Sequence, residues 1–418
     1  MSQTDEEQIG ISAYLTDTKG IGGRLRAEVE DFVVEELFPG GSPALRSGDS
    51  HTLMKVRASN WETNHLIEEI SRQLHVRREA IHFAGMKDRR AVTTQYITAC
   101  LPLSRTNFSL KDVEVLERLP VGGHVNIGDA SGNRFEISVR DYDVGSVDQV
   151  APCKDKVLSV GGVPNFYGPQ RFGSVRPITG LVGKAMTQRD YKKAVETYVS
   201  YPCEWEDPRV AEARGCADPK EALELFPARY SYERALLQAL VDAPGDYANA
   251  LKALPKNLVM MFVHAYQSYI FNRILSERLK RGMPISEPII GDLMLVAGDE
   301  LVPVGNANLV KMTDLSKRGK ASVSGIIFGT EPQFAEGEMG EIERKEVELE
   351  GLSPKRFVIP EIPTASSSGE RRRLLAQVNG LETSINADGS LRFAFSLGSG
   401  MYATCVMREF MKAHVRCY

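Results

Sequence analysis

In the run Gly85-Met86-Lys87-Asp88-Arg89-Arg90-Ala91-Val92-Thr93-Thr94-Gln95, one carboxylate stands among cations. Neighbouring positive charge favours an ionised carboxyl, which can attack an electrophilic carbon or take a proton. The β-prone runs Ile81 to Phe83 and Val92 to Ala99 put Lys87, Asp88 and Arg89 on a loop between strands, where side chains can meet a substrate. Taken alone, the segment reads more readily as a turn with solvated neighbours, because an aspartate in a basic turn is more often a turn former.

A second group, Asn165-Phe166-Tyr167-Gly168-Pro169-Gln170-Arg171-Phe172-Gly173, sets three aromatics among two amides and an arginine. Such a loop suits an unpaired nucleobase: rings stack on its face, while Asn165, Gln170 and Arg171 reach its edges and phosphates. Core aromatics beside a Gly-Pro turn would look the same. Two further segments read as strands, Asp31-Phe32-Val33-Val34-Glu35-Glu36 after Arg24-Leu25-Arg26, and Phe395-Ser396-Leu397 running into a glycine turn.

The elements that must position these groups follow from periodicity. The first third reads as strands around one helix, with Asn60 as its N-cap and Leu66, Ile67, Ile70 and Leu74 on its apolar face. Phe135, Ile137 and Val139 alternate with polar residues in a further strand, Arg134 to Arg140. Helical spacing dominates from Ile178 to Gly282; the longest helix runs from Pro255 to Lys280 and ends before Gly282. Residues 288–350 read as β-rich and loop-rich, with Glu336 to Glu350 as solvated surface, and Thr364 to Gly369 is the most linker-like stretch. Leu391 to Leu397 is expected as a strand and Tyr402 to His414 as a helix. The chain end resembles the first third in texture, so the middle reads as an insertion.

With 418 residues, 42% apolar and 25% charged, the chain has the composition of a soluble protein with more than one core. Six scattered cysteines form no Cys-x-x-Cys pair, the seven histidines no zinc pattern, and no phosphate-binding glycine loop occurs, so neither metal nor cofactor is expected. The acidic start is unlike a signal peptide and no apolar run approaches ~20 residues, which points to the cytoplasm and away from a membrane. A net charge of −4 means that any attraction to nucleic acid is local, as at Arg24 and Arg26, Lys87 to Arg90 and Arg371 to Arg373.

Taken in order, six segments resemble the TruD family of tRNA pseudouridine synthases over nearly the whole chain: Asp31 to Glu36; Gly85 to Gln95, matching Gly-x-Lys-Asp-x-x-Ala-x-Thr-x-Gln; Gly132-Asn133-Arg134-Phe135; Asn165 to Gly173; Gln267-Ser268-x-x-Phe271-Asn272; and Phe395 to Arg408. The resemblance implies an α/β (α+β) pseudouridine synthase fold with a mixed, largely antiparallel curved sheet. It implies a discontinuous catalytic domain, 1–171 and 373–418, and a large inserted α/β domain, 172–372. The substrate implied is tRNA, usually at uridine 13. No protein partner is inferable, and a monomer is expected.

Residue by residue, the family's essential aspartate falls on Asp88, its strand-borne basic partner on Arg26, its stacking aromatic on Tyr167 and its pocket walls on Phe32 and Phe395. Asn165 would order the loop around Asp88, and Lys87, Arg89 and Arg171 would contact phosphates. Two positions depart from the pattern: many relatives have phenylalanine at Tyr167, and proline commonly stands at Gly398. The reaction implied breaks the bond from C1′ to N1 of uridine and joins C1′ to C5, with Asp88 as nucleophile at C1′ or base at C2′. Two other readings use the same residues: an RNA-binding protein without activity, and a nucleoside hydrolase pairing Asp88 with a carboxylate such as Glu35.

Overall fold

The structure is a computed structural model and describes residues 6–173, 175–203 and 206–418. The chain forms two compact units, Thr16–Val163 with Ala376–Tyr418, and Met1–Leu15 with Pro164–Leu375. The second unit reaches beyond residues 172–372, where the sequence leads one to expect an insertion, because side chains and backbone tie both flanks into it. Asn165 N donates to Leu374 O at 2.8 Å, Ser12 N to Ser276 Oγ at 3.0 Å, and Asn272 Nδ2 to the carbonyls of Ile9 and Tyr167 at 2.9 and 3.0 Å.

Strands are numbered along the chain: β1 (Gly22–Arg24), β2 (Phe32–Leu37), β3 (His51–Ser59), β4 (Ile81–Phe83), β5 (Val92–Ala99), β6 (Val113–Val121), β7 (Gly132–Tyr142), β8 (Gly162–Pro164), β9 (Leu293–Leu295), β10 (Leu301–Pro303), β11 (Ser322–Ile327), β12 (Glu370–Arg373), β13 (Leu375–Ile385) and β14 (Leu391–Gly398). One sheet has the order β6-β3-β5-β2-β7-β14-β13-β8, with β1 on β7 and β4 on β5. β2 and β5 run parallel, while β2–β7, β3–β5, β3–β6, β7–β14 and β13–β14 are antiparallel. The C-terminal β14 therefore lies well inside the sheet, beside β7.

Period-two alternation sets the faces. Phe32 lies opposite Ile137, Val34 opposite Phe135 and Phe395 opposite Phe135, so these apolar side chains share one face. Elsewhere the helix Thr63–Gln73 lays Leu66, Ile67 and Ile70 against Met54, Val56 and Ile97 of β3 and β5. Each such buried side chain contributes about 1.5–3 kcal/mol. The helix is capped by Glu62, whose carboxylate accepts the N–H groups of Asn64 and His65. Asn60, expected as the cap, instead takes a left-handed turn at φ +62 and donates its N–H to Ala91 O.

In the second unit, the long helix Lys256–Lys280 is buried on both its apolar side, at Val259, Phe262, Val263 and Tyr266, and its polar side, at Gln267, Ser268 and Asn272. The helix Thr179–Thr187 approaches it at Gly183, where a Cβ would fall 1.9 Å from Phe262 O. Only glycine fits there. Arg278 is fully buried and gives Asp292 two hydrogen bonds, at 2.6 and 2.8 Å. Removing either partner alone would strand a buried charge, at a cost of about 3–5 kcal/mol.

Two expectations fail here. The glutamate-rich stretch is a helix, Gly337–Leu349, burying Met339, Ile342, Glu343, Glu346 and Val347 at helical spacing. Glu343 accepts the N–H groups of Ile326 and Ala335 and pairs with Arg371 at 2.9 Å; burial pushes its carboxyl up against the opposing pull of Arg371. Thr364 to Gly369 is no linker. Thr330 and Glu331 donate N–H groups to the carbonyls of Ser367 and Ser368, Ser367 Oγ donates to Gln267 Oε1, and the segment leads directly into β12.

Candidate active site

The loop between β4 and β5 is held from inside. Lys87 N donates to Thr63 Oγ1 at 2.8 Å, and Lys87 Nζ meets Glu36 Oε1 at 2.5 Å. That pair is buried, Lys87 being 7% exposed and Glu36 0%, and Glu36 Oε2 also accepts the N–H of Tyr96 at 2.9 Å. Glu36 shares the core face of β2 with Phe32 and Val34, so a buried carboxylate there requires a cation. Lys87 is thus an anchor for the loop and is not placed to contact a phosphate. Its neighbours face the other way: Met86 is 66% exposed and the Asp88 side chain 50%. Arg89 is exposed.

Asp88 Oδ2 accepts from Arg26 Nη2 at 2.6 Å. The Arg26 side chain is only 13% exposed, and its guanidinium carbon lies 4.1 Å from the centre of the Phe32 ring. Phe32 meets the edge of Phe135 at 6.2 Å and Phe135 lies 5.6 Å from Phe395, giving a row of three buried rings below the ion pair. Arg26, Phe32, Asp88 and Phe395 are therefore brought together in the first unit, joined by Phe135, which the sequence places on a strand and in a matching segment but to which it assigns no role in the site. Arg26 has φ +55, a left-handed conformation that costs a side-chain-bearing residue roughly 1–2 kcal/mol. Its Nε is buried and has no hydrogen-bond partner among the described residues.

Glu35 lies on the opposite face of β2 from Phe32 and binds Lys55 Nζ at 2.7 Å. This placement gives no support to a hydrolytic pair with Asp88.

Asn165, Tyr167, Gln170 and Arg171 belong to the second unit. The Tyr167 backbone is clamped by the Asn272 amide, whose Oδ1 accepts the Tyr167 N–H at 2.8 Å and whose Nδ2 donates to the Tyr167 carbonyl at 3.0 Å. Arg372 stacks on the Tyr167 ring at 4.1 Å, and the edge of Phe271 lies 5.7 Å away. Asn165 donates its Nδ2 to Arg373 O at 2.9 Å and accepts from Arg372 Nη2 at 2.7 Å. Its amide thus orders Arg372, a different task from ordering the Asp88 loop. Arg171 is half-buried, donates Nε to Ser268 Oγ at 3.4 Å and faces the Tyr167 ring at 5.5 Å, while Gln170 is exposed. Burial, and then the Arg171 charge, hold the neighbouring His264 below the usual histidine range.

Sequence reading missed Arg372 and Glu36. Arg372 sits within the basic triplet Arg371 to Arg373, whose members have separate fates: Arg371 is buried on Glu343, Arg372 covers Tyr167 and Arg373 is half-exposed beside Asp299. Glu36 could have been found from alternation alone, as the charged residue on an apolar face.

Among the described residues, no group of three or more His, Cys, Asp or Glu side chains is arranged to hold a metal ion, and no helix is long and apolar enough to cross a membrane.

A family model, tRNA pseudouridine synthase D (TruD), matches residues 8–410. Among similar proteins, those of Methanococcoides burtonii and Methanosarcina mazei, each named "Probable tRNA pseudouridine synthase D", are both 37% identical; the first match covers 97% of either chain and the second 98%. A similarly named protein of Thermococcus sibiricus is 34% identical over 96% of this chain and 97% of its own. The crystal structure of a Methanosarcina mazei protein named "Putative tRNA pseudouridine synthase D (TruD)" superposes with a TM-score of 0.86 at 36% identity, covering 99% of this chain and 98% of that one. The fold is accordingly that of a pseudouridine synthase, an isomerase. The chain belongs to the tRNA pseudouridine synthase D (TruD) family.

Proposed function

We propose that this protein converts a uridine of tRNA, at position 13, to pseudouridine, with Asp88 acting on the ribose of the flipped-out nucleotide. The observation that carries the reading is the Asp88–Arg26 pair. A half-exposed carboxylate is held at 2.6 Å by a guanidinium that is itself fixed over a phenylalanine ring. Strained backbone and an unpartnered buried N–H meet at Arg26, a concentration of cost that proteins tolerate mainly where function requires it.

In this mechanism the base is extruded at a cost of a few kcal/mol, which stacking of about 1–3 kcal/mol on an aromatic offsets. The Asp88 carboxylate either bonds C1′ as N1 departs or takes the C2′ proton. The detached uracil turns and C5 joins C1′, displacing the carboxylate in the first route or with return of the proton to C2′ in the second; C5 then loses its proton and N1 gains one, so no atom is gained or lost. The row Phe32, Phe135 and Phe395 forms a dry floor that water cannot approach. Arg89 and Arg171 are proposed as phosphate contacts, and the exposed Gln170 amide as a base-edge contact.

The test is incubation with unmodified tRNA transcripts, followed by chemical mapping of pseudouridine and mass measurement. Pseudouridine at one tRNA position with unchanged RNA mass is expected; loss of a base would mean hydrolysis, and unaltered RNA would mean binding alone.

Tyr167 is given the stacking role on the uracil. Tyr167→Phe is expected to stay within about threefold of the wild-type rate, because the Arg372 stack and the Phe271 edge contact need only the ring. Tyr167→Ala should lose about tenfold or more, the worth of one stacked base. Single-turnover rates measure both, and a large loss in the phenylalanine variant would assign the work to the hydroxyl.

A further inference from the structure

From Met86 to Asp88 burial alternates as it does along a strand: Met86 is 66% exposed, the Lys87 side chain 7% and the Asp88 side chain 50%. Met86 and Asp88 therefore leave the backbone on the same outer side, with Lys87 pointing inward to Glu36. A long apolar side chain, two-thirds exposed, thus stands two residues before the carboxylate and directly before four charged residues, Lys87 to Arg90. Its support is nonetheless rigid, since the next peptide N–H is fixed to Thr63 Oγ1 at 2.8 Å. Beside it, Ala84 O accepts the N–H of Gly128 at 2.9 Å, which holds the loop bearing Ile127, 79% exposed, against the start of the same segment. The exposed Arg89 lies one residue beyond Asp88 and offers charge to a phosphate backbone.

We infer that Met86 is a wedge. It enters the base stack of the RNA as the target uridine swings out towards Asp88 and takes that base's place, with Ile127 as a second apolar lip. A protruding apolar side chain on a stiff support, flanked by a cation, is the equipment that unstacking a base requires. Methionine suits the task, because its unbranched, polarisable chain fills an irregular gap between rings. This inference rests on the proposed reaction and adds to it a positioning residue that touches the neighbouring bases and takes no part in bond chemistry.

The test uses the full-length protein and a tRNA transcript in which the modified uridine has been mapped, with 2-aminopurine replacing the nucleotide on its 3′ side. On wild-type binding, 2-aminopurine fluorescence should rise as its stacking on the uridine is lost. Met86→Ala should abolish most of that rise and lower kcat/KM about tenfold, whereas Met86→Leu should restore both. Ile127→Ala should show a smaller loss of the same kind. Equal fluorescence and equal kcat/KM in wild type and Met86→Ala would overturn the wedge while leaving the reaction intact. Failure of Met86→Leu to recover would overturn it too, since any long apolar chain should serve. Absence of pseudouridine with wild type in every transcript would instead sink the reaction, and the wedge with it.

Discussion

Asp88→Asn should abolish pseudouridine formation, by at least about a thousandfold, the range expected for loss of an essential proton-transfer or covalent group. The amide keeps the shape of the carboxylate but can neither bond C1′ nor hold a proton from C2′. The fold should hardly notice. The Asp88 side chain is half-exposed, and an ion pair so placed contributes only about 0–1 kcal/mol. An unchanged melting temperature and near-normal tRNA affinity, read beside the single-turnover rate, therefore separate chemistry from stability. Residual activity within tenfold of wild type would show that the carboxylate is not the working group.

Arg26→Met is expected to cost about a hundredfold in rate, comparable to loss of one preorganised donor at a reacting centre. Methionine can still cover Phe32 but cannot donate to Asp88 Oδ2, so the carboxylate would lose its charged 2.6 Å contact. Arg26→Lys should fall between the two proteins, for it keeps the charge and loses the flat guanidinium over the Phe32 ring. If all three proteins turned over equally, the 2.6 Å contact would be incidental to the reaction. Binding measured alongside should change little in either variant, because the loss is expected in the chemical step.

Much of the site was legible because its elements are local. β5, Val92–Ala99, has the bounds that its β-prone run suggests, and alternation through β2 and β7 places Phe32 and Phe135 on a common face. What escaped depends on residues distant in the chain. Nothing near Lys87 reveals that its ammonium turns inward, since the partner is Glu36, on another strand, and the peptide anchor is Thr63, at a helix start. Arg372 was legible only as one of three arginines, because its place over Tyr167 depends on hydrogen bonds that it donates to Asn165, some two hundred residues earlier. The buried helix Gly337–Leu349 was hidden by its glutamates, which favour helix as readily as water, so composition masked period. The role of Asn165 shifted for a related reason: an amide has few bonds to give, and β12 takes them.

The place of β14 in the sheet has a consequence for how the protein is made. Its neighbours are β7, synthesised early, and β13, and between β8 and β13 the ribosome must produce the whole of Pro164–Leu375. At about 5–20 residues per second that takes about 10–40 s, during which β7 has one edge uncovered and Phe135 lacks the ring of Phe395. The nascent chain can thus expose the Asp88 loop on a half-built sheet long before the floor beneath it is complete. A chain that stops between Leu375 and Phe395 therefore carries the Asp88–Arg26 pair over Phe32 and Phe135 alone, without the third ring of the row.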